Sequence, residues 1–276
     1  MKKIFITGAS SYLGRNVIEK FKDYEFIALI NNKDVEYKNV KNLRIDSFNE
    51  IKDIFEEESF DYVFHFASQR HTQDDTNDIQ AYVDINISLG IELLKASNNS
   101  KLKLFIYSGS LWQDLLKQPK NLYTISKEHF DDYLKYFSLH SSFNILSLRI
   151  GDQYGPDDFR NKIIPHIKTN ENKETIEFNS NGDHLLSLVH IEDILNAIKT
   201  KISDENLPKY EILRLCSKPI SIKEFIDTYK EVRGKTFNPL YGDLVNDSFS
   251  KEEFNQKVTE NIWENNIEIK NGLKSL

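Results

Sequence analysis

Ser110, Tyr123 and Lys127 have the types and spacing to move a proton on and off a reacting oxygen. Reversible reduction of a ketone needs a proton donor beside the hydride donor, with a pKa near the working pH. A tyrosine meets that need when a neighbouring cation favours its phenolate and draws its pKa down from about 10. In Tyr123-Thr124-Ile125-Ser126-Lys127 the phenol and the ammonium are four residues apart, one face of a helix. The pair alone carries little, because 13 tyrosines and 29 lysines among 276 residues make about one such match expected by chance. Tyr37 with Lys41 is another match, but it falls in a short connection between strands. Tyr123 instead follows the strand-like run Phe105-Ile106-Tyr107-Ser108-Gly109-Ser110, which ends in small hydroxyl residues. A serine at the carboxyl end of a parallel strand faces the crevice where ligands bind, although serine there is also an ordinary turn former.

A second constellation could hold a nucleotide. The first strand runs into Thr7-Gly8-Ala9-Ser10-Ser11-Tyr12-Leu13-Gly14-Arg15, which opens a helix. Gly8 permits the tight turn, Gly14 lets strand and helix approach, and the helix N-terminus offers N–H groups to a pyrophosphate. Ser11 stands where the middle glycine of such loops belongs, so a ligand-free structural turn is the competing reading. Readers of NAD place an acid at the end of the second strand, but this chain has Ile30-Asn31-Asn32-Lys33. Amides, Asn31 among them as a cofactor contact, and a cation favour NADP(H), with Lys33 or Arg15 on a 2'-phosphate; NAD(H) is the alternative, and a solvated loop lysine competes for Lys33.

These groups need a scaffold, and the apolar pattern supplies one. Strand candidates at 3–7, 26–30, 42–46, 62–67, 102–108 and 145–150 alternate with helix candidates at 13–21, 48–57, 78–95 and 126–137. That rhythm predicts an α/β fold, a Rossmann-type doubly wound parallel sheet spanning 1–150. Beyond Tyr154-Gly155-Pro156 the pattern loosens into a smaller substrate lobe over 151–276, with about 185–216 returning to the main domain.

Composition removes other classes. The net charge is -7 and lysines are scattered among acids, which argues against a nucleic-acid partner. No apolar run is long enough to cross a bilayer, so no membrane partner and a cytoplasmic location are expected. Cys216 lies in a strand-like apolar stretch and reads as inert. His65 and His190 lie inside apolar strands, and no metal site is expected.

Taken in order, the motifs resemble the extended short-chain dehydrogenase/reductases, the NAD-dependent epimerase/dehydratase family that modifies nucleotide sugars. The resemblance spans nearly the whole chain. It implies catalytic roles for Ser110, Tyr123 and Lys127, an adenine contact for Asp46 and a nicotinamide-ribose border at Ala67, within Asp61-Tyr62-Val63-Phe64-His65-Phe66-Ala67-Ser68. Asn86 matches a helix asparagine that supports the site, and Arg149 with Tyr154-Gly155-Pro156 resembles the entry to the sugar lobe. Val189-His190-Ile191-Glu192-Asp193 is a further likeness, and the helices at 78–95 and 126–137 resemble the family's homodimer surface.

Departures narrow what the resemblance implies. Family dehydratases carry an Asp-Glu pair after the catalytic hydroxyl, but Ser110 is followed by Leu111-Trp112-Gln113. Asp152 replaces an asparagine, and Leu186 an arginine, at positions that face the substrate, so Arg160 and Lys162 become the expected contacts. Trp112 either stacks on the sugar or fills a lobe interface. Ser110-Leu111-Trp112-Gln113, Asn121-Leu122-Tyr123 and Asp152-Gln153-Tyr154-Gly155-Pro156 together are similar to a branch containing CDP-abequose synthase-type 4-keto-6-deoxy sugar reductases. The expected function is hydride transfer to the C4 ketone of a nucleotide-linked deoxy sugar. The rivals are a C4 epimerase with tightly bound NAD and a non-catalytic NADP(H)-binding regulator.

Overall fold

A computed structural model describes residues 1–30, 37, 40–70, 77, 79–98, 100–115, 121–245 and 249–276. The chain forms two compact units, the first of residues 1–113, 119–149 and 198–213, the second of 114–118, 150–197 and 214–276.

The first unit follows the βα alternation. Its elements are β1 (Lys2–Thr7), α1 (Tyr12–Lys20), β2 (Tyr24–Leu29), β3 (Lys41–Leu43), α2 (Glu50–Glu57) and β4 (Tyr62–His65). Then come α3 (Ile79–Val83), a π-helical turn (Asp84–Ser88), α4 (Leu89–Asn98), β5 (Leu104–Ser110), α5 (Trp112–Leu115), α6 (Leu122–His140) and β6 (Asn144–Ile150). With the returning strand Tyr210–Leu215 they make a seven-stranded parallel sheet of order Tyr210–Leu215, β6, β5, β4, β1, β2, β3. Strand order reverses between β1 and β4, and ligands of such sheets bind beyond the carboxyl ends of the strands at that point. In register, Thr7 closes β1 beside His65 of β4 and Leu29 of β2. The central strands are apolar on both faces because helices cover both, and Phe5, Val63, Phe105, Leu93 and Phe130 meet in one buried cluster.

The second unit contains β7 (Asp152–Tyr154), α7 (Ile163–Asn170), β8 (Thr175–Ser180), β9 (Leu185–Leu186), β10 (Leu188–His190) and the start of α8 (Ile191–Ser203). After the returning strand it adds β12, numbering that strand β11, at Ile220–Ser221, then α9 (Ile222–Arg233), β13 (Asn238–Leu244), α10 (Lys251–Lys257) and α11 (Ile269–Lys274). Three small ladders, β7 with β10, β9 with β12 and β8 with β13, surround a core of Ile167, Phe225, Ile226, Tyr229 and Leu273. The buried Asp193 carboxylate accepts the N–H groups of Asn266 (2.9 Å) and Ile267 (3.2 Å), which ties down the final segment.

Candidate active site

The glycine loop is built by sterics. Gly8 has φ +72°, and a Cβ there would lie 2.5 Å from Ala67 N and Phe66 C. A Cβ on Gly14 would lie 2.3 Å from the Gly8 carbonyl oxygen. Ser11, in the place of the middle glycine, is the N-cap of α1: its hydroxyl accepts the Gly14 N–H at 3.0 Å. Tyr12 and Leu13 are buried in the first turn, where N–H groups have no intrahelical acceptor. Side chains at Gly8 and Gly14 would strike the backbone of Phe66, Ala67, Gly8 and Ala9, so glycine there lets the turn close tightly under the helix N-terminus, and the N–H groups of that first turn fit a pyrophosphate. Ser10 is exposed at its rim, and the Arg15 guanidinium donates to the Ser10 carbonyl at 3.1 Å. The hydroxyl of Tyr37 donates to the Ala9 carbonyl at 2.7 Å. Asp46 is exposed just past β3, and its N–H donates to Glu50 at 2.9 Å. Asn31 and Lys33 lie outside the described residues.

Past β4 the chain is held by two side chains, Thr7 and Asn86. The Ala67 N–H donates to the Thr7 hydroxyl at 3.2 Å, and that oxygen lies 2.8 Å from His65 Nδ1. Burial lowers the His65 pKa to about 3, so its imidazole is neutral at any physiological pH. The π-helical turn widens the helix at Asn86, whose Oδ1 accepts the Gln69 N–H (2.7 Å) while Nδ2 donates to the Gln69 carbonyl (3.1 Å) and Ser126 Oγ (2.8 Å). The uniform helix expected over 78–95 is therefore interrupted where this side chain turns inward.

Ser110, Tyr123 and Lys127 come together. Helix α6 begins at Leu122, earlier than the expected Ser126, because Asn121 caps it: Oδ1 accepts the Thr124 N–H at 2.8 Å and the Thr124 hydroxyl at 2.7 Å. Tyr123 thus sits in the first turn and Lys127 one turn on. Ser110 and Ser68 stand beside the Tyr123 phenol, and their hydroxyls favour its phenolate. Lys127 is 1% exposed; Nζ donates to the Ser108 carbonyl at 2.6 Å and lies 4.6 Å from the Tyr107 ring centroid and 5.7 Å from that of Tyr123. Burial lowers its pKa from 10.5 to about 7, with Asp131 opposing and Arg149 assisting that fall. Trp112 is half-buried at the start of α5, its N–H 3.3 Å from Ser110 Oγ.

Two features depart from the sequence reading. Arg70 was not foreseen, yet its guanidinium carbon lies 5.4 Å from the Tyr123 ring centroid. Its position just past the end of a central strand was the available signal. The phenol pKa is raised rather than lowered: burial outweighs the downward pull of Arg70, Ser110 and Ser68.

In the second unit, Arg160 is already engaged, with Nε (2.7 Å) and Nη2 (2.7 Å) on Asp158 and Nη2 on the Gln153 carbonyl (2.6 Å). Asp152 Oδ2 accepts the Ser187 N–H at 3.0 Å, and Lys162 is half-buried at the start of α7. Both act electrostatically on His184. His190 is 3.3 Å from the Ser275 hydroxyl.

Chemically, this arrangement offers a phosphate cradle and a half-buried phenol with the Arg70 guanidinium, the Lys127 amine and the Ser110 hydroxyl beside it. Among curated proteins, the chain is similar to the CDP-abequose synthase of Salmonella typhimurium, 24% identical over 235 residues, 81% of this chain and 78% of that protein. Among solved structures, it resembles the UDP-glucuronic acid 4-epimerase of Bacillus cereus in complex with UDP-glucuronic acid and NAD, with TM-score 0.78, 17% identity and coverage of 99% and 97% of the two chains. It likewise resembles the UDP-glucose 4-epimerase of Thermotoga maritima, with TM-score 0.79, 20% identity and coverage of 99% and 96%.

The preference for NADP(H) is corrected. The structures it resembles that name a nicotinamide nucleotide hold NAD, the Bacillus cereus enzyme among them. The physical reason for the preference also weakens, because the Arg15 guanidinium meant for a 2'-phosphate is bonded to the loop itself. The model of the NAD dependent epimerase/dehydratase family matches residues 4–216, and the chain belongs to that family.

Proposed function

We propose that this protein is an NAD-dependent C4 epimerase of a nucleotide-linked sugar. The observation that carries the reading is the Tyr123 phenol gathered with Ser110, Arg70 and Lys127 at the end of β5. Gly8, Ser10, Ser11, Tyr12, Leu13, Gly14 and Arg15 would hold the pyrophosphate of NAD, with Asp46 at the adenosine and Ala67 and Lys127 toward the nicotinamide ribose. NAD bound there supplies a hydride acceptor that later becomes the donor. Tyr123 as phenolate removes the C4 hydroxyl proton while the C4–H leaves with its electron pair, giving a 4-ketone. Ser110 orients the carbonyl oxygen, and the cations Lys127 and Arg70 stabilise the phenolate. Tyr123 would give that proton back to the oxygen as C4 regains hydride on its opposite face, which would invert the centre. Asp152, Arg160 and Lys162 are the proposed contacts to the nucleotide sugar, and Trp112 to the sugar ring.

The test is incubation of purified protein with UDP-glucose, UDP-glucuronic acid, dTDP-glucose and CDP-glucose without added cofactor, with chromatographic separation of C4 epimers. The expected result is one interconverting pair, NAD retained by the protein, and no conversion by Tyr123→Phe. A Tyr123→Phe variant as active as wild type overturns the mechanism. Similarity to CDP-abequose synthase and the run Ser110-Leu111-Trp112-Gln113 favour a second reading, reduction of a 4-keto-6-deoxy sugar. Stoichiometric loss of NADH absorbance with a CDP-linked 4-keto-6-deoxy sugar would select it.

A homodimer is proposed through α3 and α6, which touch each other and expose Ile79, Val83, Tyr133, Tyr136 and Leu139. Light scattering reads the mass directly; a monomer at micromolar concentration removes the proposal.

A further inference from the structure

The wall behind Ser110 is polar and sealed. Gln113, Asp131, Ser147 and Arg149 are each at most 5% exposed. Asp131 stands on α6 one turn beyond Lys127 and two beyond Tyr123, so the three share a helix face. Its Oδ2 accepts from Arg149 Nη2 (2.5 Å) and Gln113 Nε2 (2.5 Å), and its Oδ1 from the hydroxyls of Ser147 (2.9 Å) and Tyr210 (3.4 Å). Arg149 Nη1 also donates to Ser147 Oγ at 3.1 Å. A buried ion pair persists when its remaining lone pairs and protons are satisfied in this way.

The carboxylate dictates how Gln113 faces. An amide nitrogen must point at Asp131, so the amide oxygen points away, and Oε1 accepts the Ser110 backbone N–H at 2.8 Å. The packing leaves no slack: a Cβ on Gly109 would lie 2.8 Å from Arg149 Nη1 and 2.9 Å from Gln113 Oε1. The end of β5 is thus tied to α6 twice, by Lys127 at the Ser108 carbonyl and by Gln113 and Asp131 at the Ser110 N–H.

We propose that Gln113 is a positioning residue: held by Asp131 and Arg149, it keeps Ser110 in register with Tyr123 and Lys127. The proposal rests on the reading that Tyr123 exchanges the proton beside Ser110. A filler of the core would support stability alone; a positioning residue also sets the hydrogen bond from Ser110 to the phenol. Arg70, Lys127, Tyr82 and Tyr107 act on that phenol as well, and none of them is altered in the variants below.

The experiment compares NAD-loaded wild type, Gln113→Met, Ser110→Ala and the double variant Gln113→Glu/Asp131→Asn. The Tyr123 titration is read as the phenolate absorbance difference against Tyr123→Phe made in each background. Gln113→Met should raise the midpoint, as Ser110→Ala does, since each weakens the bond that favours the phenolate. The double variant exchanges amide and carboxylate: the carboxylate at position 113 accepts the Ser110 N–H, the amide at 131 donates to it, and Arg149 shifts its ion pair from position 131 to 113. It should return the midpoint toward wild type. On the nucleotide sugar that wild type converts, Gln113→Met should lose on the order of tenfold in kcat with KM within about twofold, and the double variant should recover most of it.

A Gln113→Met midpoint equal to wild type, while Ser110→Ala moves it, overturns the proposal. So does a double variant that melts like wild type yet keeps the impaired titration. Should Gln113→Met fail to fold, the double variant decides. Should wild type convert none of the sugars, the epimerase reading falls and the titration still decides this one.

Discussion

Replacing Lys127 by methionine removes a buried ammonium and keeps a side chain of similar length. Folding carries this lysine from a pKa of 10.5 to about 7, chiefly by desolvation. Below about pH 7 it is charged in both states, and the fold bears the whole cost of the burial. That cost is a span of about 3.5 pH units at about 1.36 kcal/mol each, or about 5 kcal/mol. That figure is already the net of desolvation and of the ammonium's contacts in the fold, among them the Ser108 carbonyl at 2.6 Å and the Tyr107 ring at 4.6 Å. Lys127→Met should therefore be more stable than wild type by up to about 5 kcal/mol near pH 6. Between about pH 7 and 10.5 the unfolded wild-type chain binds a proton on Lys127 that the folded one does not. Wild-type stability consequently rises with pH, and the variant's advantage should shrink by about 1.36 kcal/mol per pH unit. Urea unfolding of both proteins, freed of nucleotide, at several values from about pH 6 to 9 measures the difference, and other titrating groups cancel between them. A difference that is flat with pH, or a variant much less stable at the acid end, would refute the desolvation argument.

Three further outcomes follow from the geometry. Gly8→Ala forces a Cβ to 2.5 Å from two backbone atoms at φ +72°, so stability should fall by about 3 kcal/mol or more, with weakened NAD binding, read by thermal unfolding with and without NAD. Asn121→Ala removes the acceptor of two hydrogen bonds at the start of α6 and should cost about 1 kcal/mol in urea unfolding. Arg70→Gln deletes a cation that lowers the Tyr123 pKa. The limb of the kcat profile that reports the phenolate should then move to higher pH, and a limb that stays in place counts against Arg70 acting on the phenol.

Much of the scaffold was legible in the chain because its signals are local. Apolar runs of strand length alternating with helical periods specify a parallel sheet, a glycine directly after a strand marks the tight turn, and a spacing of four from Tyr123 to Lys127 means one helix face. Helix boundaries were less legible where a cap or a widened turn decided them, at Asn121 and Asn86. What no local pattern carried was which distant residues meet. Arg70 reaches Tyr123 across more than fifty positions, Gln113 finds Asp131 through a buried ion pair with Arg149, and Arg15 turns back onto its own loop. Spacing along the chain determines what one element can present on a face. How much water a group loses and which charges it meets, and therefore which way its pKa moves, depend on elements brought together only by packing; desolvation outweighs the nearby Arg70 cation, and that is why the phenol expected to be lowered is raised.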